Sequence, residues 1–154
     1  MVSSQFESIL KDFEPFFKCR LQADQNESCL VRMGHGISLQ MELNRYGFLL
    51  IGCRIGELPR GRFQDDVIKE ALKANEFYPP FTGIFGISRK SNNLFLYLLV
   101  DPLKLDQDKI SNLLNPFIAK AKLWSDSINQ GNIPALGAAT SPQPAVAPPF
   151  GFSR

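Results

Sequence analysis

The sequence predicts an α+β fold in which an antiparallel sheet of about five strands carries three helices, in the order α-β-β-β-α-β-β-α. Three segments of the 154-residue chain repeat apolar residues at helical spacing, which predicts amphipathic helices. Between them lie short runs with the apolar content or the alternation of strands. These runs are too short for a doubly wound parallel sheet, so we predict helices packed on an antiparallel one.

The first predicted helix begins near the amino terminus and has one apolar face. Ser3 or Ser4 can act as its N-cap, with Glu7 as the reciprocal partner of a capping box. Pro15 removes an amide donor and clashes with the preceding turn, so we expect no helix beyond Glu14. The apolar face consists of Phe6, Ile9, Leu10, Phe13 and Phe17.

Three strands are predicted to follow as an antiparallel meander. Residues 29–33 and 48–51 are short apolar runs, and residues 37–43 alternate apolar and polar side chains without a fault. The alternating strand points one face into a core and the other toward water or a partner. Its polar positions are Ser38, Gln40 and Glu42.

A central amphipathic helix follows the turn GELP at residues 56–59. Its charged residues lie opposite its apolar ones. The apolar face is wider than one sheet can cover, which predicts a two-fold dimer with this helix at the interface. The predicted interface residues are Phe63, Val67, Ile68, Ala71 and Leu72.

The second half begins with a proline-containing loop at residues 78–81, followed by strands at 83–88 and 94–100. The last of these strands is apolar on both faces. We therefore expect its own helices to cover one face and another body to cover the other.

The last helix is predicted to begin at an Asp106 cap and to end at Gly131. Pro116 lies within it and permits two interpretations, one kinked helix or two helices with Asn115 as the second cap. The apolar stripe crosses the proline unbroken, which favours one helix.

Two segments differ in composition. Residues 1–131 are predicted to form a single domain, whereas residues 132–154 hold five prolines and one charged residue and are predicted to be a disordered tail. A functional alternative is that Phe150 and Phe152 dock on the protein's own groove or on another factor.

Charge and motifs exclude several functions. The chain has 17 basic and 15 acidic residues and no dense basic run, so we expect neither nucleic acid nor a membrane as partner. Cys19, Cys29 and Cys53 are odd in number and widely spaced, which indicates reduced thiols and no metal site. No secretory leader or membrane-spanning run is predicted, so we expect the chain to stay where it is made.

Catalytic and nucleotide-binding patterns are also missing. His35 lies between two glycines, and no nucleophile motif accompanies it. The glycines form neither a dinucleotide nor a Walker pattern, so no cofactor is expected.

The order of these elements, with the phrases GELP, ALKAN, GIFGIS and AKLW, resembles the class I type III secretion chaperones, the CesT or Tir-chaperone family. The resemblance covers residues 5–130, and these sequence phrases are most similar to those of chlamydial members. Members of the family are usually acidic, whereas this chain has a net charge of +2.

The resemblance implies a bacterial cytoplasmic protein that binds an effector or gatekeeper protein in an extended, secretion-competent form without ATP. It implies a homodimer formed largely through residues 63–75, although the sequence leaves a heterodimer with a paralogous chaperone open. The secretion ATPase is a further expected partner.

The resemblance places client grooves on the first helix and the sheet, although each candidate residue can equally be plain core. The predicted groove residues are Phe6, Leu10, Phe13, Phe17, Ile37, Leu39 and Met41. Two other functions stay open. One is a dimeric scaffold or small-ligand-binding domain, PAS-like or profilin-like, and the other, with less support, is a small enzyme that uses Cys53 or Cys29 with His35.

Overall fold

The structure, a computed structural model, describes residues 3–75 and 81–134. It confirms the predicted class and the predicted order of helices and strands. The predicted loop at 78–80 and the predicted tail from 135 onward lie outside the described residues. The elements are α1 (Ser4–Phe17), β1 (Ser28–Arg32), β2 (Ser38–Leu43), β3 (Leu49–Glu57), α2 (Arg62–Ala74), β4 (Ile84–Ile87), β5 (Asn93–Val100) and α3 (Gln107–Asn129), with short 3₁₀ turns at Gly34–Gly36 and Pro102–Lys104.

The five strands form one antiparallel sheet in the order β1-β2-β3-β5-β4. The first three strands form the predicted meander, and β5 pairs with the other side of β3. The strands β1 and β4 are therefore the two edges of the sheet, four strand spacings or about 19 Å apart.

All three helices pack on one face of the sheet. Inward-pointing strand residues such as Met41, Ile51 and Leu96 form one buried cluster with Phe6 of α1 and Phe117 of α3. Every second residue along a strand points to the opposite face, and none of the helices in residues 3–75 and 81–134 lies there. The described helices therefore leave that face of the sheet uncovered.

The start and end of α1 differ from the prediction. Ser3 is the N-cap, and its hydroxyl accepts from the Phe6 N–H at 3.2 Å. The Glu7 capping box is wrong, because the Ser3 N–H donates instead to Glu27 Oε1 at 2.7 Å. The helix also continues past Pro15 to Phe17. Phe17 packs against the core, and this packing offsets the hydrogen bond that the proline removes.

The last helix is a single one, which decides between the two interpretations of Pro116. Asp106 caps it by accepting from the Lys109 N–H at 2.8 Å, as predicted. Gly131 follows the last turn with a φ of 73°, the left-handed conformation that ends helices. Beyond it, the Asn132 N–H donates to Ser127 O at 2.8 Å and Pro134 is buried. The described chain therefore stays packed for three residues into the predicted tail.

Candidate functional site

The uncovered side of the sheet, which we call the open face, contains a cavity of about 570 Å³. Gly52 lies near its centre, between Gln40 on β2 and Tyr97 on β5. A Cβ built on Gly52 would meet nothing within 4 Å, so the missing side chain leaves a depression between larger neighbours. The open face is formed by Leu30, Ser38, Gln40, Glu42, Leu50, Gly52, Arg54, Phe95, Tyr97 and Leu99.

Apolar side chains dominate the open face. Leu30 on β1 and Leu99 on β5 each expose 56% of their surface, and Tyr97 exposes 38%. This is the exposed outer side of β5 that the sequence predicts must be covered by another body. An apolar patch of this kind on a soluble protein indicates a binding surface.

Charged groups lie at the two ends of the cavity. Arg54 lies at one end, where its Nε donates to Asn93 Oδ1 at 2.8 Å. Glu42 lies at the other end and accepts from Gln40 Nε2. The cavity is therefore apolar in the middle and oppositely charged at its ends.

The β1 edge of the sheet has free backbone groups. The Met33 N–H donates to Ile37 O at 2.7 Å, so the backbone of Met33 faces β2. In an antiparallel pair every second residue is hydrogen-bonded to the partner strand, and the backbone groups of Val31 and Cys29 therefore also face β2. Leu30 and Arg32 consequently direct their N–H and C=O groups outward. Among residues 3–75 and 81–134, no hydrogen bond reaches these four groups.

A second cavity, of about 470 Å³, runs along this edge, and we call it the edge slot. One wall is β1, from Cys29 to Arg32, and the other is the connector at residues 19–22. The chain turns between the two walls at Asp24, whose N–H donates to Ser28 O at 2.7 Å and whose Oδ1 accepts from the Ser28 N–H at 2.9 Å.

The β4 edge is different, because a side chain occupies it. Asn75 Nδ2 donates to Phe85 O at 3.2 Å, and the Phe85 N–H donates to Asn75 Oδ1 at 2.8 Å. One amide thus occupies the backbone groups of Phe85 that an added strand would need. On the β1 edge, the outward groups of Leu30 and Arg32 have no partner among the described residues, which favours β1 for strand addition.

The predicted groove residues lie almost entirely in the core of the single chain. Phe17 is half-buried, and the other six expose 3% or less of their surface. They sit between the sheet and the helices, so a client reaches them only if a helix moves. Their role as a groove stays a prediction, and the accessible apolar surface lies on the opposite face.

The predicted dimer residues of α2 divide into two groups. Val67 and Ala71 are buried against the chain's own core, and Phe63 and Ile68 are half-buried. Leu72 exposes 65% of its surface. Exposed Ile84 and Ile87 lie on the neighbouring strand β4. A dimer through α2 stays a prediction, with Leu72 as its accessible residue.

Burial makes two cysteines poor nucleophiles. Desolvation raises the pKa of Cys53 to about 11, although a backbone hydrogen bond from Ser38 acts in the opposite direction. Desolvation also raises the pKa of Cys29, where a backbone hydrogen bond from Gln22 opposes it.

In the described part of the chain, no three His, Cys, Asp or Glu residues cluster as a metal site. No described helix is long and apolar enough to cross a bilayer.

Comparison with solved structures finds this fold in type III secretion chaperones. The chain is similar to SycH of Yersinia pestis, a type III secretion chaperone solved with a fragment of YscM2, at 14% identity and a TM-score of 0.61, over 75% of this chain and 96% of that chain. A chain of the ExsC–ExsE complex is 16% identical with a TM-score of 0.64, and the match covers 82% of this chain and 96% of that chain. A chain of the heterodimeric ExoU–SpcU complex from the type III secretion system of Pseudomonas aeruginosa is 18% identical with a TM-score of 0.58, and the match covers 84% of this chain and 98% of that chain.

These identities are low and show the fold alone. The family model of the Tir chaperone protein (CesT) family matches residues 8–125, and the chain belongs to that family. The predicted membership of a type III secretion chaperone family is therefore confirmed. A comparison with curated proteins finds no match.

Proposed function

We propose that this chaperone holds a segment of a secreted effector or gatekeeper protein in an extended form on the open face and at the β1 edge. The observation that carries the proposal is an apolar, uncovered sheet face beside an edge with four unpaired backbone groups. An extended segment presents the same two features, alternating side chains and free backbone groups, so both can pair at once. Among the structures of similar fold, SycH is in complex with a fragment of YscM2, and ExoU–SpcU is a heterodimeric complex from a type III secretion system.

A dimer through α2 is compatible with this arrangement. Leu72 on α2 and Ile87 on β4 are both exposed apolar residues at this end of the sheet. The client surface includes the β1 edge, at the other end of the sheet. A homodimer, or a heterodimer with a paralogous chaperone, can thus form while each β1 edge stays accessible.

The proposed action needs neither catalysis nor ATP. Binding an extended segment buries apolar surface, at roughly 25 cal/mol per Å², against the cost of ordering the client. The protein would act in the bacterial cytoplasm, where it keeps its client unfolded until the client is delivered to the secretion ATPase.

Filling the cavity tests the proposal. Gly52→Val places a branched side chain in open space, and valine suits a strand, so the fold should keep or gain stability. Affinity capture from the native bacterium identifies a client, and its amino-terminal segment is then titrated calorimetrically. We expect Gly52→Val to weaken binding about tenfold, or about 1.4 kcal/mol, which lies in the lower part of the ~1–3 kcal/mol that overpacking costs.

Gly34→Val is the matched control, because it adds the same atoms in open space within a turn outside the open face. The control should bind the client like the wild type. Equal binding by Gly52→Val and wild type would show that the client does not use the open face. A client segment that becomes a compact globule when bound would contradict extended binding itself.

The cavity volume also favours a second candidate, a small-ligand site, since such sites measure about 300–1,000 Å³. Native mass spectrometry of the purified protein separates the two functions. A small molecule of constant mass that Gly52→Val releases would support the ligand-binding domain.

A further inference from the structure

The edge slot has one end rich in positive charge. Arg20 on the connector and Arg32 on β1 both line the slot, and both are exposed. Because the chain reverses direction at Asp24, the connector runs back along β1 and brings Arg20 to the Arg32 end. Neither arginine forms an ion pair with the described residues.

Nearby carboxylates are already committed to backbone groups. Glu14 accepts from the Leu21 N–H at 3.0 Å, Asp24 accepts from the Ser28 N–H at 2.9 Å, and Glu27 accepts from the Ser3 N–H at 2.7 Å. The slot is therefore lined by two exposed guanidinium groups that form no ion pair with the described residues.

We propose that the edge slot selects extended segments that carry an acidic side chain where the client strand passes Arg20 and Arg32. This inference rests on the proposed function and specifies the chemistry of the client at that site. A strand added to β1 pairs with the backbone of Leu30 and Arg32, which carries no sequence information. Side chains must supply the selectivity, and a guanidinium favours a carboxylate through charge-assisted hydrogen bonds.

The charge pattern argues against a basic segment. Lys or Arg side chains at the open end would meet two like charges, and like-charge contacts suppress wrong partners. A neutral apolar segment could use the open face equally well but would leave both arginines unpaired. An acidic residue beside an apolar, alternating stretch matches both the slot and the face.

Selection from a displayed library of random 12-residue peptides tests the inference, with the purified wild-type protein as bait. We expect the selected peptides to alternate apolar and polar residues and to be enriched in Asp and Glu over Asn and Gln. The double variant Arg20→Gln/Arg32→Gln should keep the alternation and lose the acidic enrichment. The control Arg60→Gln/Arg89→Gln removes the same charge from exposed positions outside the slot and should keep both.

Each outcome has a distinct meaning. Alternating peptides without acidic enrichment, or acidic enrichment that survives the double variant, would overturn the inference and leave the proposed function intact. No selection of extended peptides would overturn both. For one selected peptide, changing its acid to the amide should lower affinity about fivefold on the wild type and leave it unchanged on the double variant. Melting temperatures equal to that of the wild type confirm that the variants fold. If the double variant does not fold, the test is repeated with the two single variants.

Discussion

Gly52 contributes to the shape of the open face. A strand interior disfavours glycine, because it adds no packing and costs conformational entropy. Here it sits between Gln40 and Tyr97, where a side chain would extend into the cavity. A glycine inside a strand is therefore the sequence signal for such a depression.

Asn75 blocks part of the β4 edge of the sheet. Its amide bonds both backbone groups of Phe85, so an added strand could not pair with that residue. Sequence pattern does not predict this pairing, because it depends on α2 ending beside β4. Arg20 and Arg32 are a similar case, since twelve positions separate them and only the reversal at Asp24 brings them together.

Cys53 makes stability depend on pH in the alkaline range. Its pKa is about 11 in the folded chain against 9.0 in the unfolded chain, so between these values the folded state binds more protons. Stability should therefore fall as pH rises from 9 to 11, by up to about 2–3 kcal/mol for this group. Urea unfolding from pH 8 to 11 measures the slope, and Cys53→Ala should lack this part of it. Parallel slopes for the two proteins would show that Cys53 does not contribute.

At the scale of elements, the helices were largely predictable because their apolar spacing persists over several turns. The exceptions come from tertiary contacts. Phe17 holds α1 together beyond Pro15, and Glu27, from a distant turn, replaces Glu7 at the cap. The strand β3 is longer than its apolar run 48–51, because it is paired on both sides as far as Cys53 and with β5 as far as Glu57.

The same limit explains the predicted groove. Periodicity identifies an apolar face but not what covers it, so residues such as Leu10 and Leu39, which pack in the core, cannot be told apart from accessible ones. The outer side of β5 was the better guide, since a strand apolar on both faces in a single small sheet must expose one of them.

Leu72 provides the test of α2 as a dimer interface. Leu72→Glu should leave the single chain folded, because this side chain is exposed, and should convert the dimer to monomer, because a dimer would bury the charge unpaired. Sedimentation velocity measures the mass. Lys69→Glu on the exposed side of the same helix is the control and should remain dimeric. If Leu72→Glu sediments as an unaltered dimer, the two chains associate through another surface.

At the scale of the whole molecule, the described helices and the proposed client surface lie on opposite faces of one sheet. The helices bury the inner face and supply stability, and we propose that the open face serves binding. The proposed dimer surface and the β1 edge lie at opposite ends of the sheet, so the proposed assembly leaves the proposed site of strand addition accessible.

The most direct test is backbone amide exchange of Leu30 and Arg32, resolved by NMR with and without the client segment. These amides point away from β2 and have no hydrogen-bond partner among the described residues, so they should exchange rapidly in the free protein. We predict that client binding protects both and leaves Ile87, at the β4 edge, unchanged. Protection at Ile87 with continued rapid exchange at Leu30 and Arg32 would contradict strand addition at β1.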